Sequence, residues 1–253
     1  MPSPVLTGLS DFDALAGPLP RGSVTAVAGR PSAGASAFVL SVARNALADG
    51  HAAAYINLQV GHETLLRNFL AAESSTNVDR VDTLNEGRLV RLKRASASLQ
   101  KARLWTWTPD IQLRPEDMVQ ELHRMDSVDL IIVDDYALAA GADLKQGDTL
   151  AALRQIAADR DAVVLATAHL PRTEWGHEQT VPAFEDLTSG DEALAGTDTA
   201  IVLHRPDTDR TVPERRGEVD IIAVRGWRNT GAVTVRFEPE YHRLVDHPNG
   251  TRP

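Results

Sequence analysis

Cysteine is absent from the 253 residues, which excludes disulfides and thiolate metal sites. Lysine is almost as scarce. It stands only at Lys93, Lys101 and Lys145, so nearly every basic side chain is an arginine. No apolar run is long enough to span a bilayer, and the N-terminus lacks a charged-then-apolar signal pattern. A cytoplasmic protein with no membrane partner is the expectation. The formal net charge of -9 argues against non-specific adhesion to nucleic acid, which draws its energy from Lys and Arg neutralising phosphates. Internal repeats and low-complexity linkers are also missing, and the 43% apolar content suffices for a sizeable core. One α/β domain over 1–253 is expected, with a lead-in segment over 1–22 and a flexible tail over 246–253.

What is present is concentrated in one stretch, Gly29-Arg30-Pro31-Ser32-Ala33-Gly34-Ala35-Ser36. It follows Val24-Thr25-Ala26-Val27-Ala28, which has the composition of a buried strand. It precedes Ser36–Asp49, where Phe38, Val42 and Leu47 recur at helical spacing and Gly50 closes the segment. A glycine loop between strand and helix aims backbone N–H groups and the helix dipole at an anion. The phosphate-loop pattern G-x-x-x-x-G-K-[ST] is met at Gly29, Gly34 and Ser36, but Ala35 stands at the lysine position. A plain strand-to-helix turn would use the same glycines for tight geometry alone.

The remaining chain alternates buried-strand and helical patterns. Strands are predicted over 52–58, 104–108, 130–135 and 162–168, and again over 199–204, 219–224 and 232–237, the last two joined through Asn229-Thr230-Gly231. Helices are predicted over 62–72, 78–101, 116–125 (with Pro115 at the first turn) and 151–159. The basic face Arg88, Arg91, Lys93 and Arg94 reads as a solvated helix side. Residues 176–196 read as an acidic loop. Leu130-Ile131-Ile132-Val133 ends in Asp134-Asp135, and 162–168 ends in His169; both ends face the crevice where open α/β sheets bind ligands.

Taken in order, several segments resemble the RecA-like C-terminal ATPase domain of DnaB-type replicative DNA helicases. They are Thr7-Gly8 with Asp11-Phe12-Asp13, the Gly-Arg-Pro-Ser-Ala-Gly loop and the Leu-Ile-Ile-Val-Asp-Asp-Tyr run. Ala168-His169-Leu170-Pro171-Arg172 and Arg228-Asn229 ahead of Gly231 and Thr234-Val235-Arg236 complete the set. The resemblance covers about 5–245. It implies a RecA-like P-loop fold: a mostly parallel central sheet, helices on both faces and a C-terminal antiparallel hairpin. It further implies an ATP or ADP site with Mg²⁺. Gly29, Arg30, Pro31, Ser32, Ala33, Gly34, Ala35 and Ser36 would wrap the phosphates, and Ser36 and Asp134 would hold the ion. His169 falls at the family's γ-phosphate-sensing glutamine, and Arg228 at the finger arginine that reaches a neighbouring subunit. Plainer readings exist for each: Ser36 as a helix cap, Asp134 as a loop-facing acid, Arg228 as a surface ion-pair partner.

Three departures from that pattern matter. Ala35 removes a phosphate cation, Gln59 replaces the catalytic glutamate, and Gly226 stands where the family pairs a lysine with the finger. One lost charge-assisted hydrogen bond costs roughly 1.5–3 kcal/mol, so nucleotide affinity falls about ten- to a hundredfold. General-base catalysis is worth about 10²–10⁴ in rate, and an amide cannot take a proton. The leading expectation is therefore a pseudo-ATPase of DNA replication that binds nucleotide weakly or not at all and acts through protein contacts. An active ATP-dependent DNA helicase and a ring-forming RecA-superfamily regulator are the alternatives. Expected partners are further copies of the chain and replication or DNA-binding proteins. At most weak single-stranded DNA binding is expected, because 141–148, where the family places a DNA-facing loop, holds Lys145 against Asp143 and Asp148.

Overall fold

The computed structural model describes residues 2–80, 85–109, 114–138, 146–170, 181–182, 186, 197–206 and 213–250. The acidic loop predicted over 176–196 and the DNA-facing segment 141–148 fall mostly outside them. The glycine-loop strand is β1 (Ser23–Gly29), and its six residues from Val24 onward are buried. Around it stand β2 (Ala53–Asn57), β3 (Leu104–Trp107), β4 (Leu130–Asp134), β5 (Val163–His169), β6 (Thr199–His204), β7 (Glu218–Arg225), β8 (Gly231–Glu238) and β9 (Arg243–Asp246). They make one sheet in the order β3-β2-β4-β5-β1-β6-β7-β8-β9. Pairings from β3 to β6 are parallel, and those from β6 to β9 are antiparallel.

Strand periodicity explains why both faces are covered. Leu130 and Ile132 of β4, with Val163 and Leu165 of β5, join one apolar cluster. Their neighbours Ile131, Val133, Val164 and Ala166 join the other. Helices α1 (Ser10–Ala16), α2 (Ala35–Ala48) and α3 (His62–Ser74) contribute Phe12, Phe38 and Phe69 to the first cluster. Helices α5 (Pro115–His123) and α6 (Gln146–Arg160) contribute Met118, Leu122, Leu153 and Ile156 to the second. With both faces buried, strand sequences read as unbroken apolar runs.

Three elements differ from the sequence reading, and the first is α6, which starts at Gln146 where the pattern predicts a start at Ala151. The helix predicted from Val78 begins at Glu86 as α4 (Glu86–Lys101), where the Asn85 side chain accepts from the Arg88 N–H. Upstream, Asn77 Oδ1 accepts from the Asp79 N–H at 2.9 Å, an Asx turn that competes with helix. Strand β9 is an addition. Four residues with only Leu244 and Val245 apolar give too short a pattern to read, yet the Leu244 N–H donates to Ser41 Oγ on α2 at 2.9 Å.

The lead-in segment is tied down by two carboxylates, and the second, Asp246 of β9, accepts from the Ser10 N–H at 2.8 Å and the Ser10 hydroxyl at 2.7 Å. Asp13 accepts from the Thr7 N–H at 2.9 Å, the Thr7 hydroxyl at 2.7 Å and the Gly8 N–H at 2.9 Å. No side chain caps the helix at Leu9; Asp13 instead ties the two residues before Leu9 back onto α1. Asp13→Ala should lower unfolding stability by about 1–3 kcal/mol, the cost of stranding those donors. Urea denaturation measures it, and an unchanged midpoint would show that the segment is not held through Asp13.

Candidate functional site

Four strand ends meet at the carboxyl edge of the sheet. The Gly29 carbonyl accepts from the Leu170 N–H at 2.9 Å, locking the start of the glycine loop to the end of β5. The loop then doubles back: the Ala33 N–H donates to Arg30 O at 2.9 Å, and Ser32 takes a φ of 70°. Gly34 sits at φ 102°, a left-handed conformation that favours glycine, and delivers the chain into α2. No side chain caps that helix. The N-terminus of α2, beside the ends of β1 and β4, is thereby left for an anion. Arg30 flanks the loop from its start, and the Arg205 guanidinium donates to Ser32 O at 3.4 Å. Ala35 is buried within the first apolar cluster.

Ser36 does not act as the helix cap. Its hydroxyl donates to Asp134 Oδ1 at 3.0 Å. The same oxygen accepts from the Thr167 hydroxyl at 2.6 Å and from the Gln59 amide at 3.5 Å, and Oδ2 accepts from the Tyr55 hydroxyl at 3.0 Å. Asp134 is thus a buried carboxylate with donors from the β2 side, α2 and β5. Burial pushes the Tyr55 phenol far above its ordinary range, and the adjacent Asp134 charge adds to this. The donor set fits a divalent cation: a hydroxyl that gives its proton to a carboxylate keeps its lone pairs for a metal, and Mg²⁺ accepts one carboxylate plus waters. Sequence reasoning missed Tyr55 and Thr167. The available signal was a phenol and a hydroxyl inside otherwise apolar strands, each of which needs a buried partner.

At the end of β2, Asn57 turns the chain by accepting from the Gln59 and Val60 N–H groups at 3.2 and 3.3 Å. Gln59 is thereby placed between Asp134 and His169, with its Nε2 3.2 Å from His169 Nε2. His169 Nε2 also lies 3.7 Å from Asp135 Oδ2. Burial raises the Asp135 carboxyl above its usual range, against the pull of the Ala137 N–H and His169. Ser36, Tyr55, Asn57, Gln59, Asn68 and Asp134 help line a cavity of about 260 Å³ beside α2 and α3.

Arg228 is apart from this cluster. It is exposed on the β7–β8 turn, between Trp227, whose indole donates to Ala200 O at 3.0 Å, and Asn229, whose amide donates to Leu15 O at 3.0 Å. Gly226, at φ 76°, approaches β6 so closely that a Cβ would stand 2.2 Å from Asp198 O. The turn cannot carry a lysine there without moving. Its glycine is built into the backbone.

The model for the DnaB-like helicase C terminal domain matches residues 4–246. Replicative DNA helicase DnaC of Bacillus subtilis is 26% identical over 254 aligned positions, covering 95% of this chain and 56% of the relative. The DnaB helicase of Geobacillus stearothermophilus is 24% identical, with coverage of 95% and 56%. The chain therefore spans about half the length of these curated relatives. Among solved structures, a DnaB-like replicative helicase described with its interactions with primase superposes with a TM-score of 0.86 at 20% identity, covering 97% of this chain and 64% of that one. A structure of an isolated ATPase domain also gives 0.86, at 21% identity, covering 97% and 92%. The RadB recombinase gives 0.59 at 17%, covering 96% and 99%. The mostly parallel sheet with its antiparallel end is thus the RecA-like fold anticipated. Among the described residues no helix is long and apolar enough to cross a membrane.

Tyr55→Phe should destabilise the fold by about 1.5–3 kcal/mol by removing a hydrogen bond to a buried carboxylate. The raised phenol works in one direction. Its contribution is complete below the ordinary tyrosine range and is lost as pH climbs above about 10, so the Phe variant should lose less stability on that climb. Chemical denaturation at neutral and alkaline pH checks both; a gap between the proteins that stays constant with pH would refute the second.

Proposed function

Because the chain belongs to the DnaB-like helicase C-terminal domain family, we propose that it is a helicase-type RecA domain that holds nucleotide weakly and hydrolyses it poorly or not at all. Its action then runs through protein contacts in DNA replication. One observation carries the reading: Gln59, an amide, occupies the crevice beside Asp134, where hydrolysis needs a group able to take a proton from water. Ala35 adds to it, since the first turn of α2 offers no ammonium to the phosphates. The backbone cradle supports retention of binding, because loop amides and the α2 N-terminus attract an anion without any side chain. Ser36 and Asp134 are the residues that would hold Mg²⁺, which would neutralise phosphate charge there.

Arg228 favours self-association. Its exposure on an anchored turn suits a side chain that meets the nucleotide of a neighbouring copy, the role the family resemblance gives it. The related helicase studied with primase makes a replication protein a sensible second partner. The rival reading, an active helicase, draws on the intact Ser36–Asp134 contact.

Purified protein should show no ATP turnover above a Ser36→Ala, Asp134→Ala double variant, with or without single-stranded DNA. A DNA-stimulated rate near ~1 s⁻¹, the low end of ordinary turnover, would establish the rival. Ala35→Lys should tighten nucleotide binding about ten- to a hundredfold and leave hydrolysis undetected, because residues that act as a unit do not recover one at a time. Robust hydrolysis by that single variant would show that Gln59 is not the limiting loss.

A further inference from the structure

Of the 16 residues of α4, only Ala95 is buried. The helix lies on α3, and Leu92, Ala95 and Leu99, spaced i, i+3 and i+7, form its less exposed side. Leu99 packs against the first apolar cluster. On the opposite side Leu89 is 44% exposed and Val90 53%. Lys93, Arg94 and Lys101 share that outer face; all three are exposed, and none forms an ion pair among the described residues. Arg91 is used differently. Its Nε donates to Ser74 O at the end of α3, at 3.1 Å. The basic face that reads in sequence as one solvated side is therefore divided between a helix tie and a set of unpaired cations.

A groove of about 250 Å³ adjoins this face, lined by Arg44, Leu47, Glu73, Ser98, Leu99 and Lys101. Its inner charges cancel, because Arg44 Nε lies 3.2 Å from Glu73 Oε2. Lys101 at its rim has no such partner. Over 86–103, Arg88, Arg91, Lys93, Arg94, Lys101 and Arg103 stand against Glu86 alone, in a chain whose net charge is -9. Positive charge is thus segregated onto one helix. We propose that the outer face of α4, with this groove, docks an acidic segment of a partner protein. Carboxylates of that segment pair with Lys93, Arg94 and Lys101, and its apolar side chains cover Leu89 and Val90 and enter the groove over Leu47 and Leu99. The inference rests on the reading that the chain acts through protein contacts, and not on whether the crevice holds nucleotide.

Nucleic acid suits the face less well. Residues 86–103 contain no aromatic ring on which a base could stack, and the acidic balance of the chain repels a polyanion that extends beyond the contact. Exposed aliphatic side chains set among cations match an apolar centre with a charged rim, which is the anatomy of a protein interface. The two parts have different tasks. Removing Leu89 and Val90 from water supplies affinity. Each exposed ion pair adds little of its own, but the set selects an acidic partner and speeds its encounter.

The test begins with a phage-displayed library of random peptides, selected against the immobilised full chain. Selected sequences should carry Asp or Glu around Leu, Ile or Phe. The most enriched peptide, made with a fluorescent label, is then titrated with wild type, Arg94→Glu, Val90→Ser and Arg216→Glu. The last reverses an exposed arginine on the approach to β7 and controls for net charge. Thermal melts establish that each protein is folded, and either α4 variant alone decides the outcome. Arg94→Glu and Val90→Ser should each weaken binding about three- to tenfold, and Arg216→Glu by less than about twofold. An acidic peptide held equally well by both α4 variants is bound elsewhere; that result overturns this inference and leaves the protein-contact reading standing. A labelled single-stranded oligonucleotide that binds more tightly than the peptide, and loses affinity in Arg94→Glu, shows a nucleic-acid face and overturns the inference too. A library that yields no enriched peptide overturns both the inference and the reading beneath it.

Discussion

The crevice depends on one carboxylate. Asp134 gathers a hydroxyl from α2, a hydroxyl from β5 and a phenol and an amide from the β2 side. A buried charge is tolerated only when it is well hydrogen-bonded, so these donors are a condition of the fold as much as features of a site. Their convergence fixes Ser36, and with it the first turn of α2 and the loop that precedes it. It fixes Gln59 as well, and through Gln59 the seat of His169. Electrostatic need at one atom pair thereby sets the relative positions of four elements far apart in sequence.

Much of this architecture is legible in the sequence because the sheet is buried on both faces. Runs such as Leu130–Val133 and Val163–Ala166 are apolar without interruption, and acids or imidazoles mark where they emerge. The glycine loop is equally plain, since few other arrangements need Gly29, Gly34 and a small polar residue at that spacing. What stayed hidden has different causes. Tyr55 and Thr167 are ordinary strand residues until β2 and β5 flank β4, a pairing no local pattern reveals. Strand β9 is too short for periodicity and is held by Ser41 and by the edge of β8. The start of α4 was obscured by helix-compatible residues upstream, where Asn77 and Asn85 divert the backbone.

The departures that the family resemblance implies are of two physical kinds. At Ala35 and Gln59 only side chains are involved: the loop has a left-handed glycine at Gly34, and Gln59 just beyond β2 reaches Asp134. Gly226 is different. Its positive φ and its closeness to Asp198 O make the glycine part of the turn's geometry, and Trp227 packs against Phe12 at 5.7 Å between ring centroids to hold that turn in place. Reinstating a lysine at Gly226 demands a new backbone course, whereas one at Ala35 must only leave an apolar cluster.

Binding and hydrolysis consequently depend on separable parts of this molecule. An anion cradle made of backbone amides and a helix N-terminus survives any change of side chain that leaves the fold intact. Hydrolysis needs a proton acceptor and cations aimed at developing charge, and these are side chains. In this chain the loop and the α2 N-terminus are present, and among the described residues the side chains around them are Arg30, Arg205, Gln59 and His169, with Arg228 outside the crevice. If hydrolysis is lost as proposed, occupancy of the cradle would still reach the loop and the Gln59–His169 contact, which suits the domain to sensing a bound nucleotide.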